Sequence, residues 1–279
     1  MCESIIKPKT VLAIHDMSGF GRCALTVVIP VLTGFGLQCV PVPTALLSTH
    51  TGGFSDFSFF DMTDFMIDTL RHYSELDMDF DCIYSGFLGN ESQADITADY
   101  IKRFGKKDTL KVVDPAFADD GKLYSTIKPS MIDKMSGLIS HADVITPNFT
   151  EAAFLLGRDP EKTVSREDSV KMAKDLSMMG ADFTVITGVT DGTDRILTVG
   201  YNKKTDDSYV VENQRVNKSY PGCGDVFASY LVGSMLDGNS FFNSVEKADG
   251  FVTEALVLGE AQKENIRNGL PFETLLKKF

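Results

Sequence analysis

Long apolar runs are missing from this sequence. The longest, around Cys23 to Leu32, contains Pro30 and is far too short to span a bilayer. Cations are scarce: 27 Lys and Arg stand against 39 Asp and Glu, for a formal net charge of −12. Proteins that neutralise nucleic-acid phosphates carry a basic stripe. Here only Lys203, Lys204, Arg215 and Lys218 gather, either as ordinary solvated surface or as a locally basic rim beside a nucleotide. The five cysteines (Cys2, Cys23, Cys39, Cys82 and Cys223) are odd in number and contain no C-x-x-C, which argues against a disulfide framework or a zinc site. Cys39 and Cys82 lie in apolar strand-like runs and read as core. Met1-Cys2-Glu3-Ser4 shows no basic segment leading into an apolar one. The chain is expected to be soluble, reduced and cytoplasmic, with no nucleic-acid or membrane partner. Two phosphate-binding signatures are also absent, the P-loop G-x-x-x-x-G-K-[ST] and the protein-kinase set.

What is present is an apolar fraction of 43% over 279 residues, enough for one large core. Strand-like runs at Val11–His15, Leu37–Val42, Asp81–Ser85, Leu110–Asp114, Asp143–Thr146 and Phe183–Thr187 alternate with helical patterns. The helices are expected at Arg22–Phe35 (broken or kinked by Pro30), Phe57–Tyr73, Ser92–Phe104, Ile127–Ile139, Thr150–Leu156 and Ser165–Met179. This alternation predicts βαβ units around a parallel sheet. Arg195–Gly200 and Ser208–Glu212 then read as antiparallel strands, followed by helices at Gly224–Leu236 and Phe241–Leu258 and a short C-terminal helix. No repeat or linker is visible, so residues 1–279 are expected to form a single domain.

Ligands of open parallel sheets lie beyond the carboxyl ends of the strands. Gly-, Asp-, Asn- and Thr-rich segments follow several predicted strands there. Gly19-Phe20-Gly21-Arg22-Cys23-Ala24 is a G-x-G-x-x-A between strand and helix, but Gln38 to Thr44 lacks the acid that a dinucleotide ribose requires. Pro221-Gly222-Cys223-Gly224-Asp225 opens a helix, and its backbone N–H groups can cradle an anion with help from the helix dipole. Asp225 reads either as an acid in a first helical turn or as a functional carboxylate inside that cradle. Asn148 and Glu151, on one face of the next helix start, read as a capping box or as oxygen ligands to a hydrated Mg²⁺. Asp114 and Asp119 add carboxylates near the same edge.

Together these segments resemble the ribokinase-like superfamily and, within it, the pyridoxal kinase group, from about residue 11 to about residue 260. Gly222-Cys223-Gly224-Asp225 is similar to that superfamily's anion-hole motif, Asn148 and Glu151 to its N-x-x-E, and Asp114-Pro115-Ala116-Phe117-Ala118-Asp119 to its D-P-V-x-G-D. Ser48-Thr49-His50-Thr51-Gly52-Gly53, Val11-Leu12-Ala13-Ile14-His15 and Tyr84-Ser85-Gly86-Phe87 resemble marks of the pyridoxal kinases, and Ser18-Gly19-Phe20-Gly21-Arg22 those of the bacterial pyridoxamine kinase branch. Three positions depart from the pattern. Cys223 replaces Thr or Ser, Asp16 stands where a Ser is frequent, and Ala118 replaces Gly.

The resemblance implies an α/β, three-layer α/β/α ribokinase-like fold with a mostly parallel sheet and antiparallel strands in its C-terminal part. It implies ATP-dependent phosphorylation of the 5'-hydroxymethyl group of a vitamin B6 vitamer, with Asp225 as base and Gly222, Cys223 and Gly224 as anion hole. Asp16, Ser18, His50, Thr51 and Phe87 would face the acceptor, although simple packing is an equal reading of Phe87. Asp119, Tyr124, Asn148, Glu151, Thr187 and Gly188 would face ATP, with Tyr124 and Asp119 to Lys122 as a lid. Mg²⁺ would lie near Glu151, Asn148 and Asp119, and K⁺ near Asp114, Thr146 and Thr187. A homodimer is implied as well. Asp225 as an ordinary carboxyl titrates near pH 4. His15 is expected to be satisfied inside the fold, and His72 and His141 to lie at the surface. The alternatives are a hydroxymethylpyrimidine kinase, a sugar or nucleoside kinase, and a non-catalytic vitamer-binding protein on the same fold.

Overall fold

The computed structural model describes residues 7–161, 163–216 and 220–278; Cys2, Lys218 and the Met1 to Ser4 segment lie outside them. Nine strands form one sheet in the order β11-β10-β9-β8-β5-β4-β1-β2-β3. They are β1 (Thr10–Phe20), β2 (Gln38–Thr49), β3 (Phe59–Asp61), β4 (Cys82–Ser85), β5 (Leu110–Val113), β8 (Val144–Ile145), β9 (Phe183–Val189), β10 (Arg195–Asn202) and β11 (Asp207–Gln214). A two-stranded hairpin, β6 (Ala118–Asp119) with β7 (Lys122–Leu123), stands apart. The central ladders are parallel; β2–β3, β9–β10 and β10–β11 are antiparallel.

Among the described residues eight α-helices flank the sheet: α1 (Leu25–Gly34), α2 (Thr63–Glu75), α3 (Glu91–Phe104), α4 (Met131–Ile139), α5 (Phe149–Leu155), α6 (Arg166–Ser177), α7 (Cys223–Leu236) and α8 (Phe241–Ala261). Alternation along β1 sets the layers. Leu12 and Ile14 pack with residues of α2 to α6, while Val11 and Ala13 pack with α1, α7 and α8. The result is the expected three-layer α/β/α arrangement. From β1 the chain adds β2 and β3 on one side and then β4 and β5 on the other, so the order reverses at the carboxyl end of β1. That crevice is where an open α/β sheet binds its ligand.

Several predicted elements are corrected. The Phe57–Tyr73 helix begins only at Thr63, because Phe59–Asp61 pairs with Ala45–Leu47 of β2. Thr63 N–H then donates to Asp61 Oδ1 (2.8 Å) and starts the helix. Helix α1 starts at Leu25, not Arg22, since Ala24 has φ 51°, and it runs unbroken through Pro30. Helix α4 starts at Met131, not Ile127, because Lys128 precedes a proline and is biased away from helix. The β6–β7 hairpin was not anticipated. Cys82 is buried as expected, whereas Cys39 is half-buried.

The basic cluster is divided. Asn202 pairs with Phe183 at the amino end of β9, so Lys203 and Lys204 sit at the edge away from the crevice, Lys204 against Asp182 at 2.7 Å. Arg215 follows the far end of β11. Lys203 and Lys204 are thus removed from the crevice, whereas β11 runs parallel to β9 and carries Arg215 to the crevice edge of the sheet. Among the described residues, no helix is long and apolar enough to cross a membrane.

Candidate active site

Gly222 caps α7 at φ 84°, and a Cβ there would overlap the Arg22 carbonyl oxygen, so the position demands glycine. The first rung of α7 runs from Val226 N–H to the Gly222 carbonyl. The N–H groups of Cys223, Gly224 and Asp225 therefore lie above the helical ladder and are free to meet an anion. A Cβ on Gly224 would meet nothing within 4 Å. Its missing side chain opens space beside those N–H groups rather than relieving a contact within the protein. Burial pushes the Cys223 thiol up to about 12, so the departure from Thr or Ser adds no charge to the cradle at neutral pH.

Asp225 stands in the first turn of α7 and accepts the Ala24 N–H at Oδ2 (2.8 Å). Desolvation at the cleft floor raises its carboxyl to about 6, and the Ala24 bond opposes the rise. This corrects the expectation of an ordinary carboxyl. Asp16 is close by. Asp16 and Ser18 stand two residues apart on β1, so they share one face of the strand, and both are buried. Ser18 Oγ donates to Asp16 Oδ2 (2.9 Å), while burial and then the charge of Asp225 lift Asp16 to about 7.

Asp114, just past β5, is raised to about 8 by burial and then by Asp225. The neighbouring Thr146 hydroxyl is buried and closes no well-formed hydrogen bond. Glu151 is buried among three backbone donors, Asn148 N–H (2.9 Å), Phe117 N–H (3.0 Å) and Ala118 N–H (3.3 Å). Asn148 Oδ1 in turn accepts Glu151 N–H (2.9 Å), and its Nδ2 donates to Ala118 C=O (2.7 Å). The N-x-x-E pair thus forms a capping box and pins the loop leading into β6. Three of the roughly four lone-pair sites of the carboxylate are taken. Burial, then the charge of Asp114, raises Glu151 well above the ordinary range.

Asp119 is exposed on the β6–β7 hairpin and accepts Asp120 N–H (2.9 Å). Tyr124 is half-buried after the hairpin, with its ring 6.4 Å from that of Phe87. Thr187 N–H donates to Pro147 C=O (3.1 Å), and Gly188 (φ 71°) borders open space. Thr51 is half-buried in the turn after β2. Next to it, His50 has both ring nitrogens committed. Nδ1 accepts Gly52 N–H (3.1 Å), which leaves Nε2–H to donate to Arg267 C=O (2.8 Å). The ring braces backbone and has no nitrogen left for a substrate.

His72 and His141 are exposed as expected. His15 is corrected: it is fully buried with neither ring nitrogen bonded, and burial lowers it to about 3. It lies edge-on to Tyr84, whose own hydroxyl is unbonded and is flanked by the charges of Asp114 and Asp225. Sequence reading quoted Tyr84 within a motif but gave it no role, and it missed the Ala24 N–H. The only trace of the latter was the glycine pair around Phe20, read for a different motif.

The residues fit cations. Among the groups that perturb Asp16, Asp114, Glu151 and Asp225 none is cationic; Asp225 raises Asp16 and Asp114, Asp114 raises Glu151, and the buried Thr146 hydroxyl closes no well-formed bond. Among the described residues no three His, Cys, Asp or Glu converge as a metal cluster. A hydrated ion completed by substrate phosphates, the usual Mg²⁺ arrangement, suits such a site.

Comparison with known proteins places the chain in a family. The phosphomethylpyrimidine kinase family model matches residues 29–269. A pyridoxine/pyridoxal/pyridoxamine kinase of Bordetella avium is 28% identical over 261 residues, 88% of this chain and 84% of its own. A Bacteroides thetaiotaomicron protein assigned to the phosphomethylpyrimidine kinases and solved with pyridoxal is 36% identical, with a TM-score of 0.94 over 98% of this chain and 96% of its own. Pyridoxal kinase of Lactobacillus plantarum superposes with a TM-score of 0.88 at 28% identity, covering 97% of this chain and 96% of its own. The chain belongs to the phosphomethylpyrimidine kinase family and, with it, to the pyridoxal kinase group of the ribokinase-like superfamily.

Proposed function

We propose that this protein transfers the γ-phosphoryl group of ATP to the 5'-hydroxymethyl group of a vitamin B6 vitamer. The observation that carries the reading is Asp225 itself. It is a carboxylate raised to about 6, held at Oδ2 by Ala24 N–H, and set directly beneath a row of free helix N–H groups. With Oδ2 engaged, Oδ1 faces the substrate hydroxyl and accepts its proton as the oxygen attacks phosphorus in line. The N–H groups of Gly222, Cys223, Gly224 and Asp225 stabilise charge on the phosphoryl oxygens. Asp16, Ser18, Thr51 and Phe87 surround the acceptor ring. Asn148, Thr187, Gly188 and the Asp119–Tyr124 hairpin enclose the nucleotide and exclude water. Mg²⁺ held near Asp114, Asp119 and Glu151 would neutralise phosphate charge, with K⁺ beside Thr146 and Asp114. A homodimer is part of the proposal, with sedimentation as its check.

A relative named hydroxymethylpyrimidine/phosphomethylpyrimidine kinase, 26% identical over 172 residues, keeps hydroxymethylpyrimidine as the competing acceptor. The test is ADP release from MgATP with pyridoxal, pyridoxamine, pyridoxine and hydroxymethylpyrimidine, wild type against Asp225→Asn. The expected result is turnover on B6 vitamers, with kcat lower by about 10²–10⁴-fold in the variant and acceptor binding kept. Turnover on hydroxymethylpyrimidine alone would overturn the acceptor. Vitamer binding without ADP would overturn the kinase reading.

A further inference from the structure

Of the segment between β1 and α1, Gly21 to Ala24, only the Ala24 N–H enters the chemistry above, and the segment touches the cradle at two points. The Arg22 carbonyl oxygen lies against Gly222, where it leaves no room for a Cβ, and Ala24 N–H holds Asp225 Oδ2 at 2.8 Å. Ala24 does this from φ 51°, ψ −133°, a strained backbone for a residue with a Cβ. Strain of this kind persists only where its surroundings over-determine it.

The surroundings are a stretch from Glu264 to Glu273. Arg22 N–H donates to Asn268 C=O (3.1 Å). The guanidinium reaches Glu273 Oε1 (2.5 Å), Glu264 Oε1 (3.4 Å) and the carbonyls of Asn268 and Gly269 (3.3 Å each). Its side chain is 26% exposed and that of Glu264 is 20% exposed, so the pair is partly shielded from water. The same stretch meets two more site loops: Leu270 N–H donates to Pro221 C=O (3.1 Å), and Arg267 C=O receives His50 Nε2–H. Leu270, Phe272 and Leu275 anchor it in the core formed by Val27, Val31, Tyr220 and Val226.

We propose that Arg22 is a positioning residue: clamped by residues 264–273, it sets the Gly21–Ala24 segment so that the anion cradle and Asp225 keep their geometry. This rests on the kinase reading for its effect on turnover, but not for its structural content. The fork of the guanidinium fixes the segment at two carbonyls and two carboxylates, which a single ammonium cannot reproduce. A small displacement of Asp225 or the cradle costs turnover steeply, on the order of 10²-fold for about 1 Å.

The test compares the full-length wild type with Arg22→Ala, Arg22→Lys and Glu273→Gln. Readouts are kcat, KM for the acceptor, binding of a non-hydrolysable ATP analogue, and hydrogen exchange of the Ala24 and Cys223–Asp225 amides. The expected result for Arg22→Ala is kcat lower by about 10- to 100-fold, acceptor KM little changed, and faster exchange at Ala24. Arg22→Lys should recover part of both effects. Unchanged kcat with unchanged Ala24 exchange overturns the proposal. So does a kcat loss that only follows the unfolded fraction while Ala24 stays protected. Should Arg22→Ala fail to fold, Glu273→Gln, which removes one half-exposed partner, decides by the same readouts. A wild type that releases no ADP sinks the kinase reading, while the exchange data still decide whether the clamp holds Ala24.

Discussion

At the scale of single residues, Asp225 and Asp16 form a pair whose charges oppose each other in a desolvated pocket. Their carboxyls stand at about 6 and about 7, against the usual 3.8. On the proposed reading Asp225 is the base, and a base works only when deprotonated, so activity is lost as pH falls through these values. The acid limb of kcat/KM should therefore lie near pH 6 to 7 and belong to the pair. An acid limb near pH 4 would mean that the pocket does not desolvate Asp225. This was invisible in the sequence. Asp225 could be read from its place after two glycines at a helix start, but its basicity depends on burial and on Ala24, 201 residues away. His15 failed for the same reason, since a histidine inside an apolar strand carries no sign of whether a partner will be there.

At the scale of elements, the two cradle glycines serve different ends, and the difference is testable. Gly222→Ala puts a methyl group into the Arg22 carbonyl at a φ of 84°, so it should destabilise the fold by about 1–3 kcal/mol and lower the Tm. Gly224→Ala meets no protein atom and sits in the first turn of α7, where alanine is the better helix former. Its Tm should hold or rise, while kcat/KM for ATP falls because the methyl occupies the space beside the N–H groups. Calorimetry and steady-state kinetics on both variants check this; a fully active Gly224→Ala would remove the cradle from the phosphate's path. The long elements were legible because burial imposes its period on ten or more residues. β3, β6 and β7 were not, since strands this short that fall outside the βαβ alternation exist only through their antiparallel partners.

For the whole molecule, the raised carboxyls are a statement about stability. Asp16, Asp114 and Asp225 bind protons in the fold over a range, about pH 4 to 8, in which the unfolded chain has released them. Stability contributed by these groups is thus present at low pH and lost as pH rises through their folded values. Without added cations or nucleotide, the Tm should fall between pH 5 and pH 8. Mg²⁺, K⁺ and an ATP analogue should recover much of the loss at pH 8. A Tm that rises over that range, or ignores the ions, would contradict the electrostatic account of the site.

The clamp between Arg22 and Glu273 closes a separation of 251 residues. During synthesis every strand of the sheet leaves the ribosome before any residue of the clamping stretch does, and domains tend to organise from the amino end. The scaffold can therefore assemble on a nascent chain whose phosphoryl cradle is still unsupported. On the proposed reading, structural completion and catalytic competence become separate events in the life of the polypeptide, with competence following the clamp.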